Sequence, residues 1–374
     1  MEESSSKGRI DWYILLPVVG LMLFSLAFVY SASATRAQMK FGSSEYFFLK
    51  HLARIIVGLV VIIIFAKIDY HKWVKYSKIA LIGSMLLLFY VLLTGQAIHG
   101  ASRWINLGII NFQPSELAKF TLILHLSTLL AQKQEKIKDF KEGLLPLLFW
   151  SLSVCFLIGL QPNFSSALVI FLISLSLMFV GNANLFQLGT IALFCLVGGL
   201  GYALTAEYRL QRILSYLGLA KGDEGVVINY QLKQALIALG TGGFFGLGPG
   251  QSRQSNLFLP ESFGDFIFAI IGEEYGWLGS IAILLAFGFI FWRGMLIAKK
   301  ATDDLGYFLA FGIIITFSIY VFVNAGVNCG ILPTTGLPMP FISYGGTAVL
   351  FYAAAIGVLL NISAQAGVYP KSKK

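Results

Sequence analysis

The chain has 374 residues, 57% of them hydrophobic and 12% charged, with a mean hydropathy of +0.78. No soluble domain of this size hides so much apolar surface, so composition excludes a globular soluble protein and points to an all-α polytopic membrane protein. The net charge of +9 does not indicate nucleic acid, because the Lys and Arg lie between apolar runs and not along one face.

The polar start MEESSSKGRID runs into a long apolar stretch with no small-residue cleavage site, which reads as a retained first span and not a signal peptide. About ten transmembrane helices are expected, at residues 11–33, 50–67, 77–96, 114–132, 143–160, 164–182, 185–206, 266–292, 307–325 and 345–363. An even number of crossings places both ends on one side. Lys72, Lys75, Lys78, the run from Lys133 to Lys141, Lys299, Lys300 and the C-terminal lysines share that side. The short loops opposite hold only Arg36, Lys40, Lys50, Arg54 and Arg103. The asymmetry predicts cytoplasmic termini. Three outer segments follow: 97–113, a large extracytoplasmic loop over 207–264 between helices 7 and 8, and the Gly/Pro-rich 326–344 with Pro333 and Pro340. Such Gly/Pro-rich stretches fold as turn or re-entrant structure over a cavity. Residues 1–374 read as a single membrane domain.

Along this frame the chemistry-bearing residues come in small groups. Arg103 and Trp104 sit in GASRWINLG, where Arg matches phosphate geometry and Trp anchors at an interface. Pro114 starts a helix on which Glu116 and Lys119 share a face at i, i+3, either as a staple or as charge shown to a cavity. Arg209 and Arg212 flank leucines in YRLQRILSYL, an amphipathic interfacial pattern that holds an anionic headgroup or lies on the surface. GTGGFFGLGPGQ lacks the strand, lysine and helix of a nucleotide loop and reads as flexible backbone near a large substrate. The segment LPESFGDFIFAIIGEEYGWLG then crowds Glu261, Asp265, Glu273 and Glu274 into an otherwise apolar stretch. Carboxylates at the mouth of a span are costly and mark function by default. On a regular helix begun at Asp265, the small residues Ala269, Gly272, Gly276 and Gly279 form one stripe, and Glu273 lies too far round and too deep to pair with the Asp. The plain alternatives are an N-cap role for Asp265 and a buried pair with a distant cation for Glu273 and Glu274. Cys155, Cys195 and Cys329 are isolated packing thiols, the four histidines are scattered, and no metal ligand is assigned.

The motifs GASRWINLG, FQPSELAKF, YQLKQALIALGTGGFFGLGPGQS, LPESFGDFIFAIIGEEYG and NAGVNCGILPTTGLPMPFISYGG, in this order across nearly the whole chain, resemble the SEDS family of shape, elongation, division and sporulation proteins. GASRWINLG and DFIFAIIGEEYG look more like the division branch, LPMPF also like the elongation branch. The resemblance implies a peptidoglycan glycosyltransferase of the bacterial cytoplasmic (inner) membrane. Such a protein polymerises lipid II into glycan strands at the outer face, here for the division septum. It implies a catalytic role for Asp265, as general base for the acceptor hydroxyl. Substrate contacts are implied for Arg103, Trp104, Glu116, Lys119, Arg209, Arg212, Gln251, Ser252, Glu261 and Ser343. Glu273, Glu274, Pro333 and Pro340 are supporting residues. The implied partners are lipid II and undecaprenyl-pyrophosphate-linked glycan, a class B penicillin-binding protein transpeptidase and other divisome membrane proteins. A divalent cation, Mg2+ or Mn2+, is left open. The chain departs from the family where Asn163 replaces an Asp in QPNFS, where Ser255 replaces a Lys, and at Phe263 and Gly264, usually polar. A lipid flippase or a non-catalytic scaffold are the competing functions.

Overall fold

The computed structural model describes residues 8–94, 97–98, 101–106, 111–204, 210–211, 214, 216, 219, 222–256 and 258–365. α1 (Trp12–Phe41) starts at Asp11, whose side chain accepts from the Tyr13 N–H, and stops at left-handed Gly42. α2 (Tyr46–Lys67), the short α3 (Tyr70–Lys75) and α4 (Ser77–Thr94) follow. Two small antiparallel ladders, Ala97–Ile98 with Ala101–Ser102 and Ile105–Asn106 with Asn111–Phe112, carry the chain to α5 (Pro114–Gln132), which has Pro at its first position. A π-helical turn at Phe140–Leu144 leads into α6 (Leu145–Leu160). The remaining helices are α7 (Phe164–Val180), α8 (Leu185–Leu204), α9 (Gly222–Gly242), α10 (Ile267–Lys299), α11 (Asp304–Asn328) and α12 (Ala348–Gln365).

Each of the ten expected spans coincides with a helix, and 7 helices are long and apolar enough to cross a membrane. α7 and the apolar part of α8 are shorter, and α5 carries Glu116 and Lys119 in its first turns. α11 and α12 are the most enclosed of the candidate spans. α12 packs on α2, α11 on α10, and α5 on α4 and α11. α8 turns Phe186 and Phe194 outward, 83% and 79% exposed, as a lipid-facing helix must.

Three expectations change. The segment 207–264 is not all loop, since α9 occupies 222–242 and packs on α10. Its sequence lacks the unbroken apolar run of a span, so hydropathy passes over it. Lys50 and Arg54, counted with the outer-loop cations although at the start of the 50–67 span, lie inside α2, which begins at Tyr46. The small-residue stripe on α10 is interrupted, because Gly276 has φ 67 and ψ −163 and breaks the helix. A Cβ there would lie 2.4 Å from the Gly246 nitrogen and 2.5 Å from the Phe244 oxygen, so only glycine fits. The break frees backbone groups that the 243–248 segment satisfies. The N–H groups of Leu247 and Gly248 donate to the carbonyls of Glu273 and Glu274. Those of Trp277 and Leu278 donate to Gly243 and Phe244. Irregular backbone at this depth persists because protein covers it.

At one end of the bundle the first and last described stretches of the chain meet. Gly8 N–H donates to Ala364 O, Asp11 N–H to Ser363 Oγ, and Arg293 Nε pairs with Asp11 Oδ2 at 2.7 Å. Nearby His71 lies 2.8 Å from both Asp69 and Asp303, and Tyr70 donates to Asp303. Two carboxylates facing both ring nitrogens favour the imidazolium. Burial opposes that charge, but the hydrogen bonds to Asp69 and Asp303 outweigh it and hold the His71 pKa above 6.5. Burial likewise opposes the charge on Asp69 and Asp303, and hydrogen bonds, including those from His71, carry both below 3.8. The imidazolium contribution is therefore fully present below pH 6.5 and lost as pH rises through the raised value. The carboxylate contribution is present above pH 3.8 and lost as pH falls through the lowered values. With His71 48% exposed, solvent keeps the effect at or below about 1 kcal/mol. Melting of the detergent-purified protein against pH checks this. The advantage of wild type over His71→Ala is greatest between those limits and fades in alkali.

Candidate functional site

The site lies at the opposite end of the bundle from Asp11 and Ser363 and is built around residues 252–266. We call this segment the strap. Ser252 to Asn256 form a tight turn, in which Ser255 N–H donates to Ser252 Oγ and Asn256 Nδ2 to Ser252 O. Leu259 N–H returns to Gln254 O. Glu261 takes a left-handed φ of 56, and its carbonyl accepts from the N–H groups of Gly264 and Phe266. The strap is tied to α1 where Ser262 Oγ donates to Ala32 O and Thr35 Oγ1 to Asn256 Oδ1. It is tied to the 329–347 segment where Tyr344 N–H donates to Phe263 O and Ser343 Oγ to Gly264 O.

Asp265 ends this strap, half-buried, one residue before the Phe266 N-cap of α10. It is not the helix cap. Two asparagines on α11 hold its backbone: Asn324 Nδ2 donates to Asp265 O at 2.8 Å and Asn328 Nδ2 at 3.1 Å. Asn328 Oδ1 also accepts from Ala269 N–H. The Asp265 side chain lines a cavity of about 50 Å³ with Gln231, Asn324, Thr334, Thr335 and Gly336. Gly336 has φ +71, and a Cβ there would stand 3.3 Å from Asp265 Oδ2. The 326–344 segment thus does fold over a cavity, although α11 extends three residues further into it, to Asn328.

Thr334 and Thr335 are shared with a much larger groove of about 550 Å³. Leu168 and Leu172 of α7, Ile319 and Phe322 of α11, and Pro333 line it, with Arg103 at its rim. Arg103 donates to the carbonyls of Gln161 and Pro162. The Asn163-bearing QPNFS turn is therefore groove wall, not an acid. Trp104 lies against Gly346, where a Cβ would meet its ring at 3.2 Å.

Several residues expected at the substrate stand elsewhere. Glu116 and Lys119 are 5% and 3% exposed and pair at 2.6 Å, with the ammonium 4.1 Å from the Tyr320 ring centroid and 4.9 Å from that of Tyr352. That is a buried staple between the helices; Lys119 borders only a small apolar cavity of about 20 Å³, separate from the Asp265 cavity and the groove. Ser252 is 2% exposed and donates to Glu273; Ser343 is 2% exposed and accepts from Met339 N–H. Both are buried and hold the strap. Gln251, just before the strap, and Glu261, on it, are exposed. Pro340 is buried. Arg209 and Arg212 lie outside the described residues. Glu273 and Glu274 have no cation partner in the described ion pairs. Their partners are hydroxyls and backbone N–H groups.

Sequence reasoning missed Asn324, Asn328 and Arg54. The asparagines sat unremarked in an apolar run at i, i+4. Arg54 stacks 4.4 Å over Tyr344, with Arg36 6.0 Å over Phe263. Its signal was an arginine inside a span. Around Asp265 the donors are one carboxylate with amide and hydroxyl neighbours, and among the described residues no three His, Cys, Asp or Glu side chains come together. These residues form no all-protein cage for a cation; one carboxylate supplies only part of a Mg2+ or Mn2+ shell, of the kind that substrate phosphates and water complete.

A half-buried acid at the end of a bundle of apolar helices, beside an apolar groove lined in part by an arginine, is the site of a multi-pass membrane protein. Residues 11–367 match the FtsW/RodA/SpoVE family of cell cycle proteins, and the chain belongs to that family. It is 38% identical to stage V sporulation protein E of Bacillus subtilis over 362 residues, 96% of this chain and 98% of that protein. It is also 38% identical to the probable peptidoglycan glycosyltransferase FtsW of Geobacter metallireducens over 363 residues, 95% of each chain. Among solved structures it resembles a chain of a peptidoglycan synthase complex (TM-score 0.77, 24% identity, 96% and 99% coverage). It also resembles the rod shape determining protein RodA of Thermus thermophilus (TM-score 0.70, 24% identity, 95% and 96% coverage).

Proposed function

We propose that the protein is a peptidoglycan glycosyltransferase that polymerises lipid II at the outer face of the bacterial inner membrane during septal wall synthesis. The observation that carries this reading is Asp265 in a polar cavity that shares Thr334 and Thr335 with the apolar groove. Sugars occupy the cavity mouth, the polyprenyl chain lies in the groove, and Arg103 at the rim meets pyrophosphate. Names of relatives such as the Geobacter protein support the same activity.

In the reaction the Asp265 carboxylate takes the proton from the GlcNAc 4-hydroxyl of the acceptor lipid II. The freed oxygen forms a bond to the anomeric carbon of the growing strand. The bond from that carbon to undecaprenyl pyrophosphate breaks, with inversion, and the pyrophosphate leaves toward Arg103. Arg209 and Arg212 are further candidates for that anion. Arg36 and Arg54, stacked on rings that border the strap, offer charge to a second lipid-linked substrate.

In this reading the ten helices at the expected spans cross the membrane, both termini are cytoplasmic, and the strap is extracytoplasmic. The cation asymmetry between the loops supports that orientation. The partner is a class B penicillin-binding protein that crosslinks the strands, alongside other divisome membrane proteins. Purified protein given labelled lipid II, with and without the transpeptidase, tests the proposal: glycan ladders on a gel are expected. Movement of lipid II between leaflets without polymer identifies a flippase instead. Neither activity, with growth independent of Asp265, identifies a scaffold.

A further inference from the structure

Glu273 lies six residues into α10, about 9 Å from its start, yet it contacts the strap. Its Oε2 accepts from Ser252 Oγ and from Gln254 N–H at 3.2 Å. Its Oε1 accepts from Arg253 N–H at 3.2 Å and Thr241 Oγ1 at 3.3 Å. All four partners are donors, and the carboxylate is 0% exposed. Glu274 beside it accepts from Ser31 Oγ of α1 and is reached by the backbone N–H groups of Gly250 and Ser252. The break at Gly276 lets the 243–248 segment dock against the same turn. The start of the strap is therefore pinned in the interior of α10, whereas its end carries Asp265.

We propose that Glu273 is a positioning residue for glycosyl transfer: by accepting from both ends of the Ser252–Gln254 turn it sets where the strap places Asp265. Only a carboxylate does this, because an acceptor-only group must face two backbone N–H groups that cannot reverse. An amide of the same size turns its NH2 against the Arg253 or Gln254 N–H. Glu273 lines neither the Asp265 cavity nor the apolar groove, so it acts through the strap and not on substrate. This inference rests on the polymerase reading with Asp265 as base.

The test compares wild type with Glu273→Gln and Glu273→Asp, purified as full chains with the transpeptidase partner. Two readouts are taken: lipid II polymerisation kinetics, and hydrogen exchange of amides 252–265. For Glu273→Gln, kcat is expected to fall by up to about 10²-fold, the scale of a small misplacement at a reacting centre. KM for lipid II stays within about twofold, since Glu273 touches no substrate. Exchange at Arg253, Gln254 and Leu259 rises. Glu273→Asp, still an acceptor-only group, recovers part of kcat. A Gln variant with wild-type kcat, or one whose strap exchanges as in wild type, overturns the proposal. So does a kcat loss fully accounted for by the unfolded fraction. Should Glu273→Gln fail to fold, Ser252→Ala decides by the same readouts, because it removes one strap donor only. Wild type that makes no polymer defeats the polymerase reading, and the exchange comparison then still reports whether Glu273 orders the strap.

Discussion

Asp265→Ala is expected to lower lipid II polymerisation by about 10²–10⁴-fold, the usual worth of a positioned general base. The protein should remain folded. Asp265 holds the strap through its backbone carbonyl, which accepts from Asn324 and Asn328 whatever the side chain. Asp265→Asn keeps the volume and polarity and loses the basicity, so it should be nearly as inactive. Melting temperature and lipid II binding should both stay near wild type. Glycan ladders from labelled lipid II, quantified per folded molecule, check the result. Activity within a few-fold of wild type removes Asp265 from the mechanism.

Lys119→Met is expected to produce the largest loss of stability, about 3–5 kcal/mol, because it leaves the Glu116 carboxylate charged, buried and alone. The ammonium is held by Glu116 at 2.6 Å and by the faces of Tyr320 and Tyr352. These four residues join α5, α11 and α12 at the bundle centre. The double variant Glu116→Gln/Lys119→Met should recover most of the loss, since no unpaired charge remains. Thermal unfolding of the three variants in detergent gives the comparison. If polymerisation by the folded double variant matches wild type, the pair is a staple; if it is lost, Lys119 also serves the leaving group.

Much of the fold was legible because a membrane span announces itself over about 20 residues of apolar sequence. The helices containing Trp12, Ile267 and Ala348 needed nothing else. The α9 helix was not legible, because its polar face carries Lys233 and its partner is α10 rather than lipid. The site was legible in part. A carboxylate among apolar residues is costly wherever it lies, so Asp265, Glu273 and Glu274 stood out. Their roles did not, because the partners that distinguish them come from the 252–254 turn and from α11, far off in sequence. Ser252 and Ser343 looked like substrate contacts in motifs that in fact fold inward to hold the strap.

Composition and local pattern alone determined the class of protein, the places of its apolar helices and the acids that stand out among them, since bilayer insertion and charge burial depend on short windows of chain. Which acid faces a cavity was decided only by tertiary structure. Glu116 is silenced by Lys119, Glu273 by strap donors from twenty residues away, and Asp265 is left beside the groove by asparagines on α11. A buried carboxylate is stable only with partners, and partners brought together by folding are invisible to any reading of neighbours in sequence.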